Sequence, residues 1–204
     1  YMDLLMDGEL ILASSSHVRK ELLLNANIPF VSIKPNIDEA EVKSSLLMEG
    51  YSPREIADAL AELKASKISL KHPSSLVLGC DQILEFEGTL LEKPASKTLA
   101  VEQLLKLSGK HHVAFSAAVI FENCHPIWRF VGKTELIFKK NSENYISDYV
   151  NRNWDSIKDC VGGYKIEEEG CRLCTKINGD FFSILGMPLL EIINFLGIKG
   201  MIDA

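Results

Sequence analysis

The fold of this chain turns on one stretch near its middle, Ser75-Leu-Val-Leu-Gly-Cys-Asp-Gln-Ile-Leu-Glu-Phe-Glu-Gly-Thr-Leu-Leu-Glu-Lys-Pro94. Its apolar start, Leu76-Val-Leu78, is typical of a short, fully buried strand. Gly79 and Cys80 end that run, and Asp81 follows at the mouth of the predicted strand. A buried carboxylate is unfavourable unless it is paired, bound to a metal or used in chemistry. Asp81 is therefore the first candidate for a functional residue.

The same stretch predicts a hairpin that turns at Glu87-Gly88 and carries Lys93 on its returning arm. Such a hairpin can bring the cation of Lys93 and the anion of Asp81 to the same end of a sheet. The alternative is that Asp81 caps a turn and Lys93 is solvated. The stretch alone leaves both interpretations open.

Composition limits the class of protein. The 204 residues suit one domain over 1–204, and 47% hydrophobic and 25% charged residues are ordinary for a globular protein. A net charge of -6 argues against a nucleic-acid polymer as partner. No apolar run approaches the ~20 residues of a membrane helix, so no membrane partner is expected.

Cysteine usage and the first residues bear on localisation. Residues 1–8 have neither the basic segment nor the apolar core of a secretory signal. An odd number of cysteines, five, indicates reduced thiols and a cytoplasmic protein. The pair Cys171 and Cys174 has the spacing of a redox or metal motif, but it lies in a predicted strand without a second pair, and we interpret it as packing.

The first elements predict an anion site. A strand at 9–13, the serines Ser14 to Ser16 and a helix at 17–26 bring hydroxyls, free N–H groups and a helix dipole to one place. Arg19 and Lys20 stand in the first turn, where cations oppose the dipole, which hints at a bound anion. The alternative is that Ser16 is only the N-cap.

The rest of the chain alternates helices and strands and then pairs strands antiparallel, which predicts an α/β fold with a mixed sheet. The predicted strands are 30–34, 112–122, 127–138 and 171–177, and the predicted helices are 53–70, 99–107, 142–151 and 188–196. Lys64 lies at the border of the apolar face of its helix, where it either reaches solvent or points into a cleft.

The candidate side chains suit a polyphosphate. They are the carboxylates Glu39, Asp81 and Glu167 and the cations Arg19, Lys20, Lys64, Lys93 and Lys165. The chain has no Walker phosphate loop, no dinucleotide fingerprint and no nucleophile elbow. Carboxylates beside several cations fit a triphosphate with Mg²⁺ or Mn²⁺. Asp81 is the candidate to hold the metal or activate a water molecule. His111 and His112, adjacent on a strand, point to opposite faces and cannot chelate one metal together.

An ordered set of motifs resembles the Maf-like nucleotide pyrophosphatases. The motifs are Leu10-Ile-Leu-Ala-Ser-Ser-Ser16 with Arg19 and Glu21-Leu-Leu23, Asp38-Glu39, Leu60-Ala-Glu-Leu-Lys-Ala65, Gly79-Cys-Asp81, Lys93-Pro94, Leu107-Ser-Gly109, Gly162-Gly-Tyr164 and Gly186-Met-Pro-Leu189. The resemblance covers nearly the whole chain. It implies a cytoplasmic, metal-dependent enzyme, often a homodimer, that cleaves a nucleoside triphosphate between the α and β phosphates. It also implies an elongated, two-lobed fold with a strongly twisted sheet, akin to the inosine-triphosphate pyrophosphatases.

Carried over by position, the resemblance gives a catalytic or binding set of seven residues, Ser14, Ser16, Arg19, Glu39, Lys64, Asp81 and Lys93. We expect Glu39 and Asp81 to hold the metal, Asp81 also to be catalytic, and the others to bind substrate together with Gln82 and Glu167. Departures from the family pattern are His17 to Lys20 after the serines, Gln82 in place of Thr, and Glu167 in place of Gln. The last two resemble the branch that acts on 7-methyl-GTP, whose base a carboxylate can bind.

Two other functions remain open. Some members of the family are associated with septum arrest, so a non-catalytic, nucleotide-binding regulator of cell division is the alternative to an enzyme. A thiol-redox protein that uses Cys171 and Cys174 is the third hypothesis, and it requires a facile disulfide between them.

Overall fold

The computed structural model describes residues 9–203, which form seven strands and seven α-helices. The strands are β1 (Leu10–Leu12), β2 (Val31–Ser32), β3 (Leu76–Phe86), β4 (Thr89–Leu90), β5 (His111–Glu122), β6 (His125–Phe138) and β7 (Cys174–Asn178). The helices are α1 (His17–Asn25), α2 (Glu39–Met48), α3 (Pro53–Ser69), α4 (Lys97–Leu107), α5 (Glu143–Ile157), α6 (Phe181–Ile184) and α7 (Leu189–Ile198).

The strands form one mixed sheet in the order β2-β1-β3-β5-β6-β7, with β4 paired to β3. β1 runs parallel to β2 and β3, whereas β7 is antiparallel to β6. The predicted α/β class with a mixed sheet is confirmed. None of the helices within residues 9–203 is long and apolar enough to cross a membrane. The stretch 1–8, for which we predicted no secretory signal, lies outside the described residues.

The described chain forms two compact units. The first comprises 9–82, 116–132 and 186–203, and the second comprises 83–115 and 133–185. In the first unit, β1 and the start of β3 are fully buried, as is the inner face of α3. The core of the second unit collects side chains of α4, α5, β5 and β6 around the buried Tyr149.

The predicted helix starts are confirmed where a serine caps the first turn. Ser16, Ser52 and Ser96 each accept a hydrogen bond from a backbone N–H three residues later. Ser52 and Glu55 also form a capping box that fixes the start of α3. The β3–β4 hairpin turns at Glu87 and Gly88, as predicted, because both adopt positive φ.

The position predicted for Asp81 is wrong, since β3 continues through it to Phe86. Gly79 does not end the strand; it allows α3 to pack closely on β3. A Cβ atom at Gly79 would lie 2.1 Å from the carbonyl oxygen of Ala61 and 2.8 Å from the backbone nitrogen of Ala65. Asp81 therefore lies inside a strand and faces a closely packed helix.

Other differences from the predicted elements share a cause, the weakness of the local pattern. Helix α2 was not predicted, because it buries none of its residues and so shows no apolar face. The strand predicted at 30–34 is only Val31–Ser32. The strand predicted from 171 begins at Cys174, after a 3₁₀ turn.

Candidate active site

The serine loop between β1 and α1 is organised by the hydroxyl of Ser14. Its oxygen accepts hydrogen bonds from the Ser16 N–H at 3.1 Å and from the Arg19 guanidinium at 3.5 Å. A hydroxyl accepts two bonds and donates one, so neither of these bonds uses the hydroxyl proton of Ser14. Ser16 caps α1 by accepting from the Arg19 N–H, and a further role for Ser16 in anion binding stays a prediction. The loop thus combines a directed hydroxyl with a helix N-terminus.

Arg19 lies inside the first unit and organises the loop from behind. Its side chain is 9% exposed, and its Nε and Nη1 atoms donate to the carbonyl oxygens of Gly186 and Cys80 at 2.9 and 2.8 Å. This guanidinium therefore holds the backbone carbonyl of Cys80, the residue before Asp81. The sequence placed Arg19 on a phosphate, but the structure shows three of its N–H groups bound to protein.

Lys64 points into the protein and joins two carboxylates. Its ammonium nitrogen lies 2.6 Å from Oδ1 of Asp81 and 2.9 Å from Oε1 of Glu39. The side chains of Lys64 and Asp81 are 5% and 7% exposed, whereas that of Glu39 is 55% exposed. Of the two orientations left open for Lys64, the structure has the inward one. One cation therefore fixes a buried carboxylate beside an accessible one.

Burial governs the protonation of this cluster. It raises the pKa of the Asp81 carboxyl, and the charges of Lys64 and Arg19 offset this only in part. Burial likewise raises the pKa of the Cys80 thiol to about 11, so Cys80 stays neutral. A carboxylate with a raised pKa is a better proton acceptor than an ordinary one, which suits a general base.

The two carboxylates fit Mg²⁺ or Mn²⁺ bound together with a substrate. Within residues 9–203 there is no cluster of three or more His, Cys, Asp or Glu side chains able to hold an ion. Glu39 and Asp81 share one ammonium, so their oxygens lie close together. Mg²⁺ is typically held by one or two carboxylates plus substrate phosphates and water. The donor set therefore fits an ion that arrives with a triphosphate.

Gln82 is placed differently from Asp81. Successive side chains of a strand point to opposite faces of the sheet, so Gln82 is directed away from the face that carries Asp81. Its amide nitrogen donates to the hydroxyl of Ser116, on β5, at 3.1 Å. Sequence reasoning missed Ser116, because nothing local connects it to Gln82. A role for Gln82 in substrate binding stays a prediction.

Lys93 and Glu167 belong to the second unit, where they gather around Cys160. Burial raises the pKa of the Cys160 thiol, which also feels the charges of Lys165, Glu167 and Lys93. Lys93 is exposed and lines a cavity of about 460 Å³ with mostly apolar walls. That volume is within the range of small-molecule pockets. Of the residues near Cys160, only Lys93 lines this cavity, and a role for Glu167 in substrate binding stays a prediction.

The cysteines are all free. Cys171 is exposed in the 3₁₀ turn and Cys174 begins β7. Burial raises the pKa of the Cys174 thiol to about 12, the opposite of what an attacking thiolate requires. The redox hypothesis gains no support from this environment.

The similarity of this chain to known proteins extends over nearly its whole length. The model of the family described as "Maf-like protein" matches residues 9–198. The chain is 56% identical over 198 residues to a nucleoside triphosphate pyrophosphatase of Ruegeria pomeroyi, which covers 97% of this chain and 100% of the relative. It is 42% identical over 189 residues to a protein of the same name from Caulobacter vibrioides, which covers 93% and 94% of the two chains.

Proposed function

Because the chain belongs to the Maf-like protein family, we propose that it is an enzyme that hydrolyses nucleoside triphosphates between the α and β phosphates. The products are a nucleoside monophosphate and pyrophosphate. The observation that supports this reaction best is the buried Lys64–Asp81 pair, flanked by Glu39. A carboxylate with a raised pKa, next to a phosphate-binding loop, is suited to activating water.

The serine loop binds the phosphates in this proposal. The Ser14 hydroxyl and the first N–H groups of α1 donate hydrogen bonds to phosphate oxygens. Arg19 holds the loop in shape through its contacts with Ser14 and the Cys80 carbonyl, and its positive charge lies behind the anion. A role for Lys93 in phosphate binding stays a prediction.

Asp81 performs the proton transfer. Lys64 occupies Oδ1, so Oδ2 accepts the proton of the attacking water. The water oxygen forms a bond to the α-phosphorus, and the bond from this phosphorus to the α–β bridging oxygen breaks. Pyrophosphate leaves with that oxygen. Lys64 keeps the carboxylate oriented throughout, and Glu39 and Asp81 would hold Mg²⁺ or Mn²⁺, which supplies charge neutralisation on the triphosphate.

Pyrophosphate release from a panel of nucleotides, with Mg²⁺ or Mn²⁺, tests the reaction. Asp81→Asn should reduce turnover at least ~100-fold, since it removes the general base. Glu122→Gln is the matched control, because that carboxylate forms a surface ion pair with Lys199 in the same unit. Full turnover in Asp81→Asn would refute the assigned role. Tight nucleotide binding without any cleavage by the wild-type protein would favour the regulatory alternative.

The nucleotide that we propose is 7-methyl-GTP or another modified nucleotide. The support is Glu167, an exposed carboxylate next to Lys165 on a glycine-hinged segment. It can accept hydrogen bonds from the guanine edge or offset the charge of the methylated ring. Glu167→Gln should lower kcat/KM for 7-methyl-GTP about tenfold or more, with a smaller effect on GTP. Equal effects on both nucleotides would contradict this specificity.

The proposal also includes a homodimer in the cytoplasm. The resemblance implies the dimer, and the five free cysteines suit a reducing compartment. Light scattering of the purified protein tests the dimer, and a monomer at micromolar concentration would exclude it.

A further inference from the structure

His112 is a buried polar side chain that the proposed reaction does not use. It lies on β5, is 1% exposed, and packs edge-on against the rings of Phe138 and Tyr164. Its Nε2 atom shares a hydrogen bond of 2.6 Å with the hydroxyl of Tyr164. This contact is the polar centre of an otherwise apolar cluster in the second unit.

A histidine is an expensive choice for packing at this position. Its Nδ1 atom is buried, and no hydrogen-bond partner for it occurs among residues 9–203. An unsatisfied buried nitrogen destabilises the fold, and a phenylalanine would fill the same space without that penalty. Filling space therefore does not explain why a histidine is present at position 112. The hydrogen bond between its Nε2 atom and the Tyr164 hydroxyl explains it.

Tyr164 determines the path of the segment that contains it. Gly162 and Gly163 precede it with φ of +86° and +72°, a conformation that favours glycine. The Tyr164 ring folds back over Gly162 so closely that a Cβ atom there would lie 2.8 Å from Cε1 of the ring. The position of the ring and the position of the glycines are thus fixed together.

The glycines in turn support the segment that carries Lys93. The Gly162 N–H donates to the carbonyl oxygen of Glu92 at 3.2 Å. A Cβ atom at Gly163 would lie 3.4 Å from Cγ of Pro94, so Gly163 packs against the residue that follows Lys93. A shift of the glycines would therefore move Lys93.

The same segment continues directly into Lys165 and Glu167. The Tyr149 side chain has a hydrogen bond with the Lys165 backbone, and the Lys165 ammonium pairs with Glu168 at 3.0 Å. These contacts hold the segment on the C-terminal side of Tyr164. The Tyr164 ring holds the glycines on its N-terminal side.

We propose that His112 is a positioning residue for substrate binding. Through Tyr164 it fixes the segment 161–167, and through that segment it places Lys93 and Glu167 against the nucleotide. The inference rests on the proposed function, since it assumes that these two side chains bind substrate. It adds a residue that touches no substrate.

The test compares His112→Phe with His112→Gln in the full-length protein. Phenylalanine keeps the ring and removes the hydrogen bond, whereas glutamine carries an amide near the position of Nε2. His112→Phe should raise the KM for the triphosphate about five- to tenfold, the usual effect of one lost hydrogen bond, and leave kcat nearly unchanged. His112→Gln should restore much of the KM. A purely structural histidine would lower the melting temperature and leave the KM of the folded protein unaltered, and that result would overturn the proposal.

Hydrogen exchange provides a readout independent of activity. Backbone amides of 161–168 should exchange about tenfold faster in His112→Phe, while those of α3 keep their wild-type rates. If His112→Phe does not fold, Tyr164→Phe, which lacks only the hydroxyl, carries the same two expectations. Unchanged exchange would refute the positioning role. If the wild-type protein cleaves no nucleotide, the proposed function fails, and the exchange result still decides whether His112 holds the segment.

Discussion

Lowering the pH from 7 to 4 should destabilise the wild-type protein more than His112→Phe. Burial, with a smaller contribution from the charge of His111, lowers the pKa of His112 from its ordinary 6.5 to about 4. The unfolded chain therefore binds a proton at His112 as the pH falls below about 6.5, while the folded chain does not until about pH 4. Because the unfolded state binds more protons in this window, the free energy of unfolding falls as the pH falls. A separation of about 2.5 between the two pKa values corresponds to roughly 3 kcal/mol.

Urea unfolding at several pH values between 7 and 4 measures this contribution. All other titrating groups are common to the wild-type protein and His112→Phe, so the difference between their unfolding free energies isolates His112. The wild-type protein should lose up to roughly 3 kcal/mol relative to the variant across the window. A difference that stays constant from pH 7 to 4 would show that His112 titrates normally, and the description of its environment would then be wrong.

Three further results are expected. Lys64→Met should destabilise the protein by about 3–5 kcal/mol in chemical denaturation and abolish turnover, because it leaves the Asp81 carboxylate buried without its cation. The double variant with Asp81→Asn should recover stability but not activity. Recovered activity would contradict the mechanism. Gly79→Ala should destabilise the fold by about 3 kcal/mol or more, since its Cβ atom would overlap the Ala61 carbonyl, and a melting temperature equal to wild type would count against the close packing of α3 on β3. Chelation should stop pyrophosphate release, and Mg²⁺ or Mn²⁺ should restore it with little change in melting temperature, because in the proposed mechanism the protein would hold the ion through two carboxylates, Glu39 and Asp81, before the triphosphate binds. A large drop in melting temperature on chelation would indicate a structural metal.

Local signals in the sequence predicted those parts of the fold that depend on local chemistry. The caps at Ser16, Ser52 and Ser96 fix helix starts within a single turn of chain, and they were readable. The sequence does not predict helix α2, because a helix is recognised by the apolar residues of its buried face and α2 has no buried face. Gly79 was misread, because a glycine that ends a strand and one that admits a helix look the same in sequence.

The candidate site, like the fold, is predictable from the sequence only where local residue types decide it. Residue types predicted a phosphate site near Ser14 and Asp81, but not the contacts that organise it. The side chain of Lys64, at the border of a helix face, had two orientations that periodicity could not separate. The partner of Arg19 is a carbonyl 167 residues away, and no spacing rule reaches so far. The hydrogen bond between His112 and Tyr164 joins residues 52 apart in sequence, so the sequence around His112 gives no sign of it.

The contacts of Arg19 also have a consequence for protein synthesis. One guanidinium joins carbonyls of residues 80 and 186, so the serine loop cannot be completed until Gly186 has been translated. At ordinary ribosomal rates of about 5–20 residues per second, synthesis from Arg19 to Gly186 takes roughly 8–33 seconds, during which that charge is only partly satisfied. A shortened translation product that stops before Gly186 would thus be an unassembled precursor and not a smaller enzyme.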